Sequence, residues 1–455
     1  TRKESSAASD VYKRQYQDYG KRIIVFSNAS RSHFIIQDIY AEFFRLCILQ
    51  NNSKEFVIHK ISQEYGVAES VVSQDFDCFT ASLTRACSPS VPCSNPASAQ
   101  LVVKDSDIYS LMSQDLVPFS ATIEITDTCN LKCIHCYRGH PFHSYWTAAT
   151  FEQALLQLRQ LGTLHLTLTG GEPFTHPDFR VFLKLIKKYG FVLTLQTNAT
   201  FDFSELYDSL VDISLKDIAV SLYSTIYTVH DAITTIPGSC QKTMKALTQL
   251  AARGFPVTIN CPVMTINQGS LQSVKEFADS IGASCHFSFK IIPCQETKKD
   301  TLQLNCFTAD LLQQYMVDSK IKLYHDILPS IRQCIPGERY CQTGFRSITL
   351  NAQGSVMLCN AYRKSCGNLK NSSLKQIWTS SDALLRWRTT TSLINKTCKN
   401  CKAFAYCEPC PAHEFTLTGN EFTIDSLTCS FGKAFYEADQ CILARTKGGE
   451  KNEGV

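Results

Sequence analysis

Apolar positions change their spacing three times along this chain. In Lys21–Ala86, a β-branched run at Arg22–Ser27 stands before Ser32–Ile36, and the two can pair as a hairpin. Three stretches with helical spacing follow: Ile39–Leu49, Lys54–Tyr65 with Ser53 as its cap, and Glu69–Leu83. The Ser/Pro-rich stretch Cys87–Ala99 reads as a linker. From Ala121, strands alternate with helices. The strands are Thr122–Thr126, Leu164–Thr169, Phe191–Thr197, Asp217–Leu222, Pro256–Pro262 and His286–Ile291. Helices are read at Thr150–Leu161, Phe179–Tyr189, Ser204–Leu210, Ser239–Arg253 and Leu271–Ile281. Gly162, Gly190, Gly254 and Gly282 each stand just past a helix, where a left-handed cap is needed. Six such repeats predict an α/β fold with a parallel sheet and crossover helices, as an open sheet or a partial barrel. The alternation stops after about Asp310, and Thr446–Val455 is a charged, Gly-rich stretch expected to be disordered.

Five segments result: 1–15, 16–100, 101–310, 311–445 and 446–455. Asp10–Gln15 resembles the translation of a transposon adaptor end, so Thr1–Gln15 is set aside and the native N-terminus is expected either to be missing or to start near Tyr16. A hydrophobic content of 44% with 19% charged residues describes a folded chain. A formal charge of +4 gives no argument for a strongly basic nucleic-acid binder, and no nucleic-acid partner is expected. Apolar runs such as Phe191–Leu195 are far shorter than the roughly 18 residues of a membrane span. The composition turns on its 22 cysteines. With no secretory signal legible, they read as thiolate ligands in a reducing cytoplasm rather than as a disulfide framework.

Cys129-Asn-Leu-Lys-Cys133-Ile-His-Cys136 closes the first strand of the alternating region. Three thiolates within eight residues can hold three irons of a cubane and leave the fourth open. Zinc is the competing reading, with His135 or His140 as fourth ligand. The second strand ends in Gly170-Gly171-Glu172-Pro173, where two glycines permit close backbone approach and a carboxylate can meet an amino group. Strand ends of this kind are where alternating α/β folds bind ligands.

This pair of motifs resembles the radical S-adenosylmethionine (SAM) superfamily, whose fold is a partial barrel of six βα units. The resemblance implies that Cys129, Cys133 and Cys136 hold a catalytic 4Fe–4S cluster. It implies that Gly170, Gly171 and Glu172 contact the methionyl amino group of SAM. Asn198 and Ser221 would lie near the ribose, and His135 near the adenine, a position more often aromatic in the family.

The later cysteines resemble the SPASM domain. Cys341 is followed by Gly354 and Cys359, then by Cys398-x2-Cys401-x5-Cys407-x2-Cys410, and finally by Cys429. The family usually has three residues, not two, before the position of Cys410. Its interleaving implies one auxiliary 4Fe–4S cluster on Cys334, Cys341, Cys359 and Cys410. A second would sit on Cys398, Cys401, Cys407 and Cys429, making three clusters in all. Two structural zinc sites are the competing reading, and Cys366 is an alternative ligand near Cys359. Cys47, Cys78, Cys240, Cys261 and Cys285 read as small core residues.

The hairpin-plus-helices segment has a winged-helix pattern. Its seven Lys/Arg against eight Asp/Glu between Tyr16 and Gln100 argue against DNA. It resembles PqqD-like elements that bind leader peptides by adding a strand. Together these resemblances imply an enzyme that cleaves SAM reductively to a 5′-deoxyadenosyl radical and modifies a ribosomally made precursor peptide. The implied product is a thioether from Cys sulfur to carbon. A donor such as flavodoxin or ferredoxin would supply electrons. Carbon–carbon crosslinking, epimerisation and formylglycine formation are alternatives within the class. A non-catalytic iron–sulfur carrier or redox regulator is the alternative outside it.

Overall fold

A computed structural model describes residues 15–28, 31–87, 105–138, 144–294, 304, 341–389, 398–407 and 409–449. Cys334, His140, Cys93, Cys306, most of the expected linker and the first fourteen residues lie outside them.

The expected hairpin forms, with Arg22↔Gln37 through Ser27↔Ser32 in antiparallel register. A third strand joins it, giving β1 (Tyr16–Asp18), β2 (Arg22–Ser27) and β3 (Ser32–Gln37) in the order β1-β2-β3. Gln15, set aside in the sequence reading, is part of this ladder, its carbonyl accepting from the Phe26 N–H at 2.9 Å. Then come α1 (Asp38–Phe43), continued by a π-helical stretch at Phe44–Leu49, α2 (Lys54–Tyr65) and α3 (Glu69–Cys87). Ser53 caps α2, accepting from the Phe56 N–H at 3.2 Å. One sheet face buries Ile23, Val25, Phe34 and Ile36 against these helices. The other buries Ile24, Phe26 and Ile35 against Ile108, Met112, Phe119, Leu164 and Val192 of the following region. Burial on both faces explains why β2 is a continuous apolar run.

The second region holds α4 (Asp105–Gln114), β4 (Ser120–Glu124), α5 (Ala148–Gln160), β5 (His165–Thr169), α6 (Phe179–Lys188) and β6 (Val192–Thr197). It continues through α7 (Tyr207–Val211), β7 (Ser214–Ser221), α8 (Tyr227–Thr234), α9 (Ser239–Ala252), β8 (Val257–Pro262), α10 (Leu271–Ser280) and β9 (Ser284–Ser288). All six expected strands pair in parallel in chain order. The four helix-end glycines have φ between 68° and 92°. Ile123, Leu166, Leu168, Leu193, Leu195, Val220 and Ile259 face the helices in one core. The alternate residues Thr122, Thr167, Thr194, Gln196, Ser221, Thr258 and Asn260 are half-buried on the opposite, polar face.

The sheet does not stop at the end of the alternating region. β10 (Ser347–Leu350) lies parallel to β4, and β11 (Ser355–Met357) and β12 (Ser365–Asn368) follow antiparallel, making nine strands in the order β12-β11-β10-β4-β5-β6-β7-β8-β9. Helices α11 (Leu374–Ser380), α12 (Asp382–Thr389), α13 (Pro411–Thr418) and α14 (Ser426–Gly449) complete the chain. Helix α14 corrects the expected disorder after Thr446, being helical through Gly449. Cys240 and Cys261 are core residues as expected, whereas Cys78 is exposed on α3, where Phe76 and Phe79 take the buried face. No helix among the described residues is long and apolar enough to cross a membrane.

Phe26 is fully buried between the three-stranded sheet and the second region. Phe26→Ala should therefore cost about 3–5 kcal/mol, read as a lower urea midpoint for unfolding of the first region.

Candidate iron–sulfur and SAM site

The cysteine loop begins where β4 ends, and β5 holds it there. The β4–β5 ladder runs past both strands: Ile125 donates to the Thr169 carbonyl (2.9 Å), Gly171 to Thr126 (2.8 Å) and Glu172 to Thr128 (2.8 Å). The glycines serve this approach. A Cβ on Gly170 would lie 2.4 Å from the Thr126 oxygen, and one on Gly171 2.2 Å from the Thr128 oxygen. The close contact that the sequence assigns to a ligand is thus made to the chain's own backbone, one residue before Cys129.

The far side of the loop is pinned by α8, with Lys132 donating to the Thr234 carbonyl (3.1 Å) and Ile134 to Ile233 (3.0 Å). Cys129 and Cys136 are exposed and Cys133 is half-buried. The Leu131 N–H points at the Cys129 sulfur (3.4 Å), and the Tyr223 hydroxyl lies 3.8 Å from the Cys133 sulfur. Burial pushes the Cys133 thiol up to about 12, against the opposing hydrogen bond from Tyr223. The three sulfurs are close enough to influence one another's charge. Three converging thiols, two of them with hydrogen-bond donors at hand, fit the ligand set of a cluster that needs thiolates.

Glu172 is buried, and its carboxylate accepts from the Asn198 N–H (2.7 Å), the Thr197 hydroxyl (2.7 Å) and the Phe174 N–H (3.3 Å). Burial raises it to about 7 despite those donors. Asn198 in turn donates to the Asn130 side-chain oxygen at 2.9 Å, with the Cys129 sulfur 4.0 Å away. The carboxylate therefore steers Asn198, and Asn198 steers the loop. Ser221 ends β7 on the polar face, in register with Asn260. The His135 ring meets Tyr223 edge-on at 4.8 Å. Gly170, Gly171, Glu172, Asn198 and His135 thus gather around the cysteine loop, with Ser221 on the face beside it.

The C-terminal cysteines fall into two electrostatic neighbourhoods. Cys359 feels Cys341 and Cys410, and burial pushes its thiol up to about 12. Cys398 feels Cys429 and Cys401. Glu414 links the elements that carry Cys410 and Cys429, accepting from the Asp425 N–H (2.7 Å) and the Thr428 hydroxyl (2.7 Å). Cys366 is buried in the sheet, with Arg388 and Lys364 as its charged neighbours. The expected ligand Cys334 lies outside the described residues.

The sequence reading missed Glu124, Arg138 and Arg363. Glu124 is fully buried on β4, with Arg363 at 2.9 Å and Arg138 at 3.5 Å. A charged residue between Ile123 and Ile125 was the available signal.

Residues 123–278 match the Radical SAM superfamily, and residues 341–402 match SPASM, an iron–sulfur cluster-binding domain. The chain is 27% identical over 312 residues to the subtilosin biosynthesis protein AlbA of Bacillus subtilis, covering 65% of this chain and 67% of that one. It is 23% identical over 330 residues to the AdoMet-dependent heme synthase of Methanosarcina barkeri, covering 65% and 92%. Its fold is similar to that of Streptococcus suis SuiB bound to its precursor peptide SuiA, with a TM-score of 0.57 at 15% identity over 91% of this chain and 99% of that one.

Two outcomes follow from the geometry. Gly171→Ala should displace the cysteine loop and lower the iron bound by Cys129, Cys133 and Cys136, measured by iron analysis after anaerobic loading. Glu172 titrates near 7 when folded and near 4.5 when unfolded, so its ionisation destabilises the fold as pH rises through that window, by at most about 1.4 kcal/mol per pH unit. In Glu172→Gln that share of the pH slope should vanish, seen in denaturation midpoints at pH 5.5 and 8.

Proposed function

We propose that this chain is a radical SAM enzyme with a SPASM domain that modifies a ribosomally made precursor peptide by forming a thioether from a cysteine sulfur to a peptide carbon. The observation that carries the reading is the loop of Cys129, Cys133 and Cys136 held against the Gly170–Glu172 turn, within the residues that match the Radical SAM superfamily. The SPASM match and the two groups of C-terminal cysteines support auxiliary clusters. The similarity to AlbA and SuiB supports a peptide substrate.

In this reading the three clusters divide as the SPASM resemblance implies, and the parallel sheet is a partial (β/α)6 barrel. The cluster and SAM, when bound, supply one-electron cleavage and hydrogen abstraction. The chain supplies placement. Gly170, Gly171 and Glu172 set the methionyl end, and Asn198, Ser221 and His135 border the nucleoside. The half-buried Thr, Ser, Gln and Asn residues of the polar face offer hydrogen bonds to an extended peptide. Tyr223 and Asn198 keep donors at the ligand sulfurs. The reductant is a small donor such as flavodoxin or ferredoxin, and the setting is a reducing cytoplasm.

The first region is a PqqD-like, winged-helix-type recognition domain in this account. β3 is at the edge of its sheet. A groove of about 670 Å³ runs past Ile39, Phe43, Ile61, Tyr65 and Val67, with Lys21, Arg45, Glu42 and Asp75 along it. That combination suits a leader with apolar anchors and mixed charge, added as a strand. Deleting the domain would bare Ile108, Met112, Phe119, Leu164 and Val192, against which its Ile24, Phe26 and Ile35 pack, so point changes test it better.

Protein loaded anaerobically should hold about twelve irons per chain, from three four-iron clusters; zinc in place of iron would contradict the reading. The double variant Tyr65→Glu/Val67→Glu should keep its iron and fail to modify a leader-bearing, cysteine-containing precursor, followed by mass spectrometry. Unimpaired modification would remove the groove as the recognition element.

A further inference from the structure

The Glu124 carboxylate is buried, five residues before Cys129. One guanidinium nitrogen of Arg363 bridges both its oxygens, at 2.9 and 3.2 Å. Arg138, two residues past Cys136, also approaches the carboxylate, at 3.5 Å. Arg363 stands four residues past Cys359, and both arginine side chains are nearly buried, at 14% and 11% exposure. A second bond runs alongside, in which Asn360, directly after Cys359, donates to the hydroxyl of Tyr137, directly after Cys136, at 2.9 Å. A third joins Gln353 to Ser144 at 3.2 Å. The residues that follow one ligand cysteine are thus bonded to the residues that follow another.

We propose that Arg363 is a positioning residue that fixes the catalytic cysteine loop relative to the Cys341, Cys359 and Cys410 group through Glu124. This rests on reading those two groups as ligands of separate clusters. The physical ground is the cost of a buried, unmatched charge. Glu124 is fully buried, so a shift of either loop would take away one of its two guanidiniums and leave the carboxylate under-compensated. A hydrogen bond between neutral groups would tolerate such motion, but a buried ion pair resists it. Arg363 contacts through a single nitrogen, so a lysine can supply the charge while losing the reach and the planar shape. The distance and orientation between the two clusters are therefore set by this contact as well as by the sheet. The bland alternative is that the pair only stabilises the β4–β10 seam.

The test uses the full chain, loaded with iron and sulfide under anaerobic conditions, reduced with dithionite and given S-adenosylmethionine. Paramagnetic resonance reads how the signal of the catalytic cluster saturates with microwave power, which reports its magnetic coupling to a neighbouring cluster. Arg363→Met should keep the iron content of the unaltered protein and lower the half-saturation power several-fold. Arg363→Lys should fall between the two. Glu124→Gln/Arg363→Met should change it no more than Arg363→Met alone, because both substitutions break one contact. If Arg363→Met fails to fold, Arg363→Lys decides, and an unchanged saturation curve in it overturns the proposal. Equal saturation in every variant, with only the unfolding temperature lowered, would show a purely structural pair. Unaltered protein that held no iron, or showed a single class of cluster, would instead overturn the cluster reading on which the proposal rests.

Discussion

Strand β4 is hydrogen-bonded on one edge to β5 and on the other to β10, so whatever leaves its carboxyl end is held from both sides. The β5 side fixes the cysteine loop by backbone, through Gly171 and Glu172. The β10 side fixes it by charge, through Arg363 on the buried Glu124. Removing one partner of such a pair costs about 3–5 kcal/mol, more than a surface ion pair could supply. A loop that must present three thiols without internal regular structure gains its rigidity from these two seams and from α8.

Two of the buried glutamates, Glu172 and Glu124, do different work for one end. Glu172 has no counter-cation among its hydrogen-bond partners, all of which are neutral donors, and burial raises its pKa to about 7. Glu124 is matched by two guanidiniums. The first organises Asn198 and the loop start; the second organises the loop end and the C-terminal cysteines.

Much of this was legible in the sequence. The six strands, their helices and the glycine ends follow from local periodicity and from the φ > 0 that only Gly accepts cheaply. The cysteine spacings marked out the Cys129–Cys136 loop and the cysteines that fall into two neighbourhoods near the C-terminal end. Other features carried no local signal. β1, β10, β11 and β12 have three or four residues each, too few for an alternation to show. Helices α4 and α8 lie where the sequence reading left the chain unassigned. The Gly170–Gly171 turn was read as room for a ligand, and its nearest neighbour is Thr126 and Thr128 backbone, a contact set by strand register rather than by motif. Arg363 and Glu124 are 239 residues apart, so their pairing depends on β10 joining β4, which no window of sequence contains.

The central claim is that the Cys129–Cys136 loop supports reductive cleavage of SAM. Its most direct measurement is 5′-deoxyadenosine released by the anaerobically loaded, reduced protein, beside a variant with Cys129, Cys133 and Cys136 all changed to Ala. The account predicts release by the unaltered chain and none by the variant, with the auxiliary iron retained. Equal release from both, or none from a fully loaded unaltered chain, would contradict it.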